Sequence, residues 1–534
     1  MLPDKIKIQV LTLYFLISYM ASSLLFSFVI GYFLLLLFVA WRTSRHANNE
    51  SFFIGNRNSN WMLVAFGMIG TSLSGVTFVS VPGTVGVFGD DGFKAFGYFQ
   101  VIIGNWIGYL VVAFVLLPLY YRLNLTSIYR YLQTRFGSVA YRTGALFFIL
   151  SRTVGATARL YLVINILHLF ILKDLGIPFG LTTGVILLMI LLYTFEGGVK
   201  TIVYTDTLQT TFMLLGLVVC MVYILHQLGF SLGGAMQALE AKGFTRIFHS
   251  DIRSKNFFVK QIIGGMFISI AMTGLDQEMM QKNISVRNLR DSKKNMVVFS
   301  FVMALVSFLF LLLGGLLYLF ALSQGGINAG GGGHQLLLGG QNVVGDDLFP
   351  TLALHYLPKA VSIIFIIGLI SALFPSADGA LTALTSSFCI DLLDIKGRAG
   401  MSEQQKRRMR LTVHVCFALL FLLCILVFKW VNNKSTIGVI LDLAGYTYGP
   451  LLGLFSFGIF TKRVLPDDWK ITALCLLAPV LCWLVSRYSA AWLGGFQIGI
   501  ELLLLNGVLT FGGLALLSRR GGGKERVVAE AGQG

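Results

Sequence analysis

Trp61-Met62-Leu63-Val64-Ala65-Phe66-Gly67-Met68-Ile69-Gly70-Thr71-Ser72-Leu73-Ser74-Gly75-Val76-Thr77-Phe78-Val79-Ser80-Val81-Pro82-Gly83 is the stretch on which the reading of this chain turns. Its ends are apolar, while its middle, Gly70-Thr71-Ser72-Leu73-Ser74-Gly75, gathers glycines and hydroxyls. Glycine in a helix interior costs about 1 kcal/mol relative to alanine, and serine and threonine compete for backbone hydrogen bonds. At membrane depth such residues do one of two things. They let helices approach closely, or they mark unwound backbone lining a cavity. This stretch taken alone leaves both open.

Composition supplies the surroundings. The 534 residues are 56% hydrophobic and 12% charged, with a mean hydropathy of +0.78, whereas soluble domains carry about 25% charged residues. Apolar stretches near the roughly 20 residues needed to cross a bilayer recur at 23–41, 61–82, 95–120, 143–170, 178–195, 204–228, 259–280, 296–322, 358–392, 409–430, 437–460, 471–488 and 497–518. The expectation is an all-α integral membrane protein of about 13 transmembrane helices, with the lipid bilayer as its constant partner. The net charge of +17 does not point to nucleic acid, because Lys and Arg gather in alternate loops, most densely at 281–295 and 393–410. That is the positive-inside pattern. It predicts a multi-pass protein of the cell (inner) membrane, N-terminus outside and C-terminus cytoplasmic.

The six cysteines fall in the predicted spans without CxxC or Cys/His spacing, so neither a disulfide framework nor a metal cluster is indicated. No HExxH, GxSxG or Walker sequence occurs, so no enzyme and no organic cofactor is expected. The glycine-rich tract 325–340 reads as flexible coil. Residues 10–41 exceed one crossing, consistent with a signal-like start or with initiation at Met20.

Two further spans are irregular. Residues 259–281 contain Met272-Thr273-Gly274-Leu275-Asp276-Gln277-Glu278. Acids at membrane depth are expensive and mark function, unless Asp276 and Glu278 already lie at the cytoplasmic end beside Lys282. Residues 358–392 contain Pro375 and Asp378. The proline frees a carbonyl, and the aspartate calls for a cation or a proton; a plain kink is the alternative. The broken spans are the first and sixth of a ten-helix block, 61–460. Breaks at matching positions of two halves point to an inverted-repeat transporter with its site at the breaks.

The chain resembles the sodium:solute symporter family, with its LeuT-like fold of five helices plus five inverted. The resemblance spans roughly residues 24–518. It rests on Phe52-Phe53-Ile54-Gly55-Asn56-Arg57 with Trp61, the opening stretch above, Gly197-Gly198-Val199-Lys200-Thr201-Ile202-Val203-Tyr204-Thr205-Asp206-Thr207-Leu208-Gln209, Asp276-Gln277 with Gln281, and Ser376 through Phe388 ahead of Asp391. It implies a leading helix and first loop (1–60), a transport core of two repeats (61–228 and 259–460), two trailing helices (461–518) and a tail (519–534).

The resemblance also implies residue roles. Sodium, the coupling ion and the one metal expected, would be held by Gly70 and Leu73 at the break with Ala372, Pro375 and Ser376. Many members carry two hydroxyls where this chain has Pro375-Ser376, so one ligand is lost or replaced. Where some members hold a second sodium, this chain has Asp206 with Asp378 and Gly379, which would share a second cation or a proton; the alternative is that Asp378 pairs with a cationic side chain. A small organic solute would meet Ser72, Ser74, Thr77, Phe78, Gln100, Arg152, Asp276, Gln277 and Tyr446. Arg152 and Arg159, if they face the pathway, match a carboxylate.

Overall fold

The computed structural model describes residues 4–44, 52–53, 57–86, 94–195, 198–329, 335–395, 400–431 and 436–519. Residues 54–56 of the lead-in motif, Gly197, the glycine run 330–334 and the tail from 520 lie outside the described residues. In chain order the main helices are α1 (Asp4–Ser44), α2 (Trp61–Ser72), α3 (Gly75–Gly83), α4 (Phe99–Arg122), α5 (Ser138–Leu172), α6 (Phe179–Thr194), α7 (Gly198–Leu228), α8 (Phe258–Gly274), α9 (Gln277–Ile284), α10 (Leu289–Ser323), α11 (Lys359–Leu392), α12 (Glu403–Val431), α13 (Thr436–Thr447), α14 (Gly449–Phe460), α15 (Lys470–Trp492) and α16 (Leu502–Leu517).

Eight of these (α1, α4, α5, α7, α10, α11, α12 and α15) are each long and apolar enough to cross a membrane. Three pairs are apolar but bent: α2–α3 by 55°, α8–α9 by 64° and α13–α14 by 46°. Helices α6 and α16 are shorter and apolar. Leu34, Leu188, Val222, Leu305, Leu423 and Leu476 are each more than half exposed. A band of that kind is tolerable only against hydrocarbon. The protein is a multi-pass membrane protein.

Local chemistry explains where the helices begin. Asn60 caps α2 by accepting from the Met62 amide at 2.9 Å, and Asn288 caps α10 through the Asp291 amide at 2.9 Å. The start of α5 is capped from a distance: Asp467 accepts from Val139 N at 2.7 Å and from Ser138 N at 3.1 Å. Gly137 makes the turn before it at φ +101°, a conformation that L side chains rarely adopt. Those amides hold the Asp467 carboxyl below its usual 3.8, so its contribution is present above that pH and is lost as pH falls through the lowered value. Asp467→Ala is therefore expected to lower stability by under about 1 kcal/mol, because the cap is exposed. Thermal unfolding midpoints should show the gap to wild type closing as the pH is taken below the carboxyl's usual 3.8.

Two sequence expectations need correction. The span 437–460 is broken between Thr447 and Gly449. Pro450 cannot donate to the carbonyl four residues back, and Asn506 Nδ2 serves that carbonyl, Tyr446 O, at 2.9 Å and Gly445 O at 3.0 Å. By contrast α11 runs unbroken through Pro375, enclosed by packing on nearly every side over residues 368–387. The tract 325–340 is not all coil, since short antiparallel strands β1 (Ile327–Ala329), β2 (Gln335–Leu338) and β3 (Gln341–Asn342) form there.

Candidate functional site

The opening stretch is unwound at its centre. Helix α2 ends at Ser72, Leu73 takes φ −84° and ψ 79°, and Ser74 is extended before α3 begins. Neighbours press directly on this break. A Cβ at Gly70 would strike Thr210 of α7, and one at Gly75 would strike Val163 of α5 and lie 3.9 Å from the Ala372 carbonyl of α11. The break thus packs against the middle of α11, where Ser376 Oγ donates to Leu373 O at 2.8 Å. Backbone and hydroxyl oxygens of this kind suit a hard monovalent cation.

The second break is more heavily tied. Helix α8 ends in a wide turn over Ile270–Gly274, and its last carbonyls accept from Tyr120 (Gly274 O, 2.8 Å) and Tyr129 (Leu275 O, 2.9 Å). Asp276 caps α9 through Glu278 N at 2.9 Å and Met279 N at 3.3 Å, and also accepts from Tyr448 at 2.8 Å. Gln277 accepts from Ile128 N at 2.9 Å and donates to Thr126 O at 3.0 Å. Both side chains are spent on holding the break.

Between the breaks lies a cavity enclosing, with its mouth, about 890 Å³ of space free of protein atoms. Ser72, Ser74, Thr77, Tyr98, Asn105, Arg152, Arg159, Ser269 and Thr273 line it. Phe78, Gln100, Asp276, Gln277 and Tyr446 are not on this wall. Phe78 stacks into a ring cluster with Phe310, Phe349 and Phe365, centroids 5.3–5.7 Å away. Gln100 is buried and bonded to Gly97 O and to the His249 amide. Those assignments treated a polar or aromatic residue near a break as facing the solute, and local sequence does not carry that orientation.

Behind the cavity runs a chain of buried charges. The Arg152 guanidinium donates to Glu278 Oε2 and lies 3.7 Å from Asp276. Glu278 Oε1 is 3.6 Å from Lys282 Nζ, and Lys282 donates to Asp206 Oδ2 at 2.6 Å and Thr71 Oγ1 at 2.5 Å. Lys282 is 3% exposed and Glu278 1%, so both charges are enclosed by protein. Asp206 therefore has a resident cation, Lys282, which sequence reading had set aside as a loop marker. Asp378 instead takes the Tyr193 hydroxyl at 2.8 Å and the Gly379 amide at 2.5 Å. Arg159 makes no ion pair among the described residues and borders the cavity.

The sodium:solute symporter family model matches residues 52–466. The chain belongs to the sodium:solute symporter family. It is similar to the sodium/sialic acid symporter NanT of Aliivibrio fischeri, 23% identical over 86% of this chain and 87% of the relative. The sodium/sialic acid symporter SiaT of Proteus mirabilis is 21% identical over 87% and 90%, and the human sodium/iodide cotransporter 28% identical over 47% and 37%. A solved structure of a Na+-coupled sialic acid symporter in a substrate-bound, outward-open state superposes with a TM-score of 0.76 at 18% identity, covering 93% of this symporter and 99% of that chain. That likeness shows that the helices described above share the fold of that structure.

Proposed function

We propose that this sodium-coupled symporter imports a small organic anion by alternating access, through about 13 crossings arranged as a 5+5 inverted repeat with one leading and two trailing helices. In this reading the N-terminus is outside and the C-terminus cytoplasmic at the cell (inner) membrane. Sodium is held by oxygens of Gly70, Leu73, Ala372 and Ser376, with the Pro375 carbonyl beside them. The solute rests on Ser72, Ser74 and Thr77, with its anionic group on Arg159.

One observation carries the anionic assignment. Arg152 is neutralised by Glu278 and Asp276, whereas Arg159 borders the cavity with no acid paired to it among the described residues. A guanidinium in a low-dielectric cavity needs an anion, and a carboxylate offers matched bidentate hydrogen bonds.

Energetics supports a second cation. One sodium with a monoanion is electroneutral, so a tenfold sodium gradient alone supplies about 1.4 kcal/mol, or about tenfold accumulation. A second sodium adds that again plus about 2.3 kcal/mol per 100 mV, raising the limit to roughly 5,000-fold. Asp378, with only hydroxyl and amide donors, is its proposed seat beside Asp206.

Proteoliposomes loaded with potassium and diluted into sodium test this. N-acetylneuraminate, pyruvate and iodide serve as anions and D-glucose as the neutral solute. Expected are sodium-dependent uptake of an anion, a sigmoid sodium dependence, and a KM raised at least about tenfold by Arg159→Gln. Preference for glucose with an indifferent Arg159→Gln would remove the anionic assignment, and a hyperbolic sodium dependence the second cation.

A further inference from the structure

The two oxygens of buried Glu278 face different places. Oε2 is held by Arg152, whose guanidinium forms part of the solute cavity wall. Oε1 takes no hydrogen bond among the described residues although Glu278 is 1% exposed. That oxygen points at α11 in a notch that exists because residue 379 is glycine: a Cβ there would collide with the Glu278 carboxylate. Asp378 is the adjacent residue of α11, and Lys282 Nζ, which holds Asp206, lies 3.6 Å from the same Glu278 oxygen. Asp206 Oδ1 is likewise without a hydrogen bond among the described residues. Arg152 for its part is only partly used, since its Nε is buried and unbonded.

We propose that Glu278 is the positioning residue that couples solute to cation: one carboxylate is shared between Arg152 on the cavity wall and the cluster of Lys282, Asp206 and Asp378 beside Gly379. Each end then biases the other. While Arg152 holds Oε2, the Glu278 charge is committed to the cavity side. An anion in the cavity draws Arg152 toward itself and releases Glu278 charge to a sodium ion seated by Asp378 and Asp206. By reciprocity, sodium bound there loosens Arg152 and readies it for the solute. The inference rests on the sodium-coupled reading above and adds a residue to it.

The test needs sodium alone, because Arg152→Gln mimics the withdrawal of Arg152. Full-length protein in detergent is titrated with sodium against potassium at constant ionic strength, and the half-saturating sodium is read from the thermal midpoint. In the Glu278 background, Arg152→Gln is expected to lower half-saturation about tenfold. In the Glu278→Gln background the same substitution should change it less than about twofold. Gly379→Ala, which keeps the acid but closes its notch, should behave like Glu278→Gln, and it carries the comparison if Glu278→Gln does not fold. A merely structural Glu278 would move the sodium-free midpoint and leave the Arg152→Gln shift equal in both backgrounds; that result, or no shift in either, overturns the proposal. Absence of sodium binding by the wild type would instead overturn the sodium-coupled reading itself.

Discussion

Lys282→Met is expected to destabilise the protein by about 3–5 kcal/mol and to abolish uptake, because it strands a buried carboxylate without its cation. Asp206 is wholly buried, and its bonded oxygen receives Lys282 at 2.6 Å and the Thr71 hydroxyl at 3.1 Å. Removing the lysine leaves Thr71 as the remaining donor to a full negative charge. The decisive comparison is the double variant Lys282→Met/Asp206→Asn. Replacing both members of a buried pair is often close to neutral, so unfolding midpoints should recover most of the loss. Uptake should not recover, since the linkage from Thr71 at the first break to Glu278 behind the cavity has been cut. A Lys282→Met protein as stable as wild type would show that this pair does not exist in the membrane.

Gly75→Ala is expected to reduce maximal uptake by at least about tenfold while the protein still assembles, since overpacking a tight contact typically costs about 1–3 kcal/mol. The added methyl would occupy the space of a Val163 methyl on α5, and the Ala372 carbonyl of α11 closes the other side. Pushing α3 away from both helices displaces the unwound segment on which solute and sodium are proposed to sit. The companion Val163→Ala makes room for the methyl, so Gly75→Ala/Val163→Ala should regain a large part of the transport rate. Failure of the second substitution to help would mean that Gly75 is needed for backbone conformation and not for close approach. Uptake per unit of surface-expressed protein is the measurement.

Much of the architecture was legible in the amino-acid order, and the reason is local. Apolar length determines crossings because backbone polar groups cannot be left unpaired in hydrocarbon. The breaks at Leu73 and Asp276 were legible because glycine, hydroxyls and a capping acid weaken a helix at the very place they occur. The third break escaped notice, although Tyr448-Gly449-Pro450 was its signal, whereas α11 stays one helix through Pro375. Ser72, Ser74, Thr77 and Arg152 reach the cavity, while Phe78, Gln100 and Gln277 are turned to structural partners and Tyr446 is not on the wall.

By itself, then, the sequence determined a multi-pass helical transporter interrupted near Leu73 and near Asp276, because hydropathy and helix breaking act within a few residues of their cause. Only the tertiary structure decided which charges meet. Arg152 finds Glu278 across 126 positions and Lys282 finds Asp206 across 76. A buried charge takes whatever partner the packing of distant helices brings within a few ångströms, and desolvation makes that choice binding.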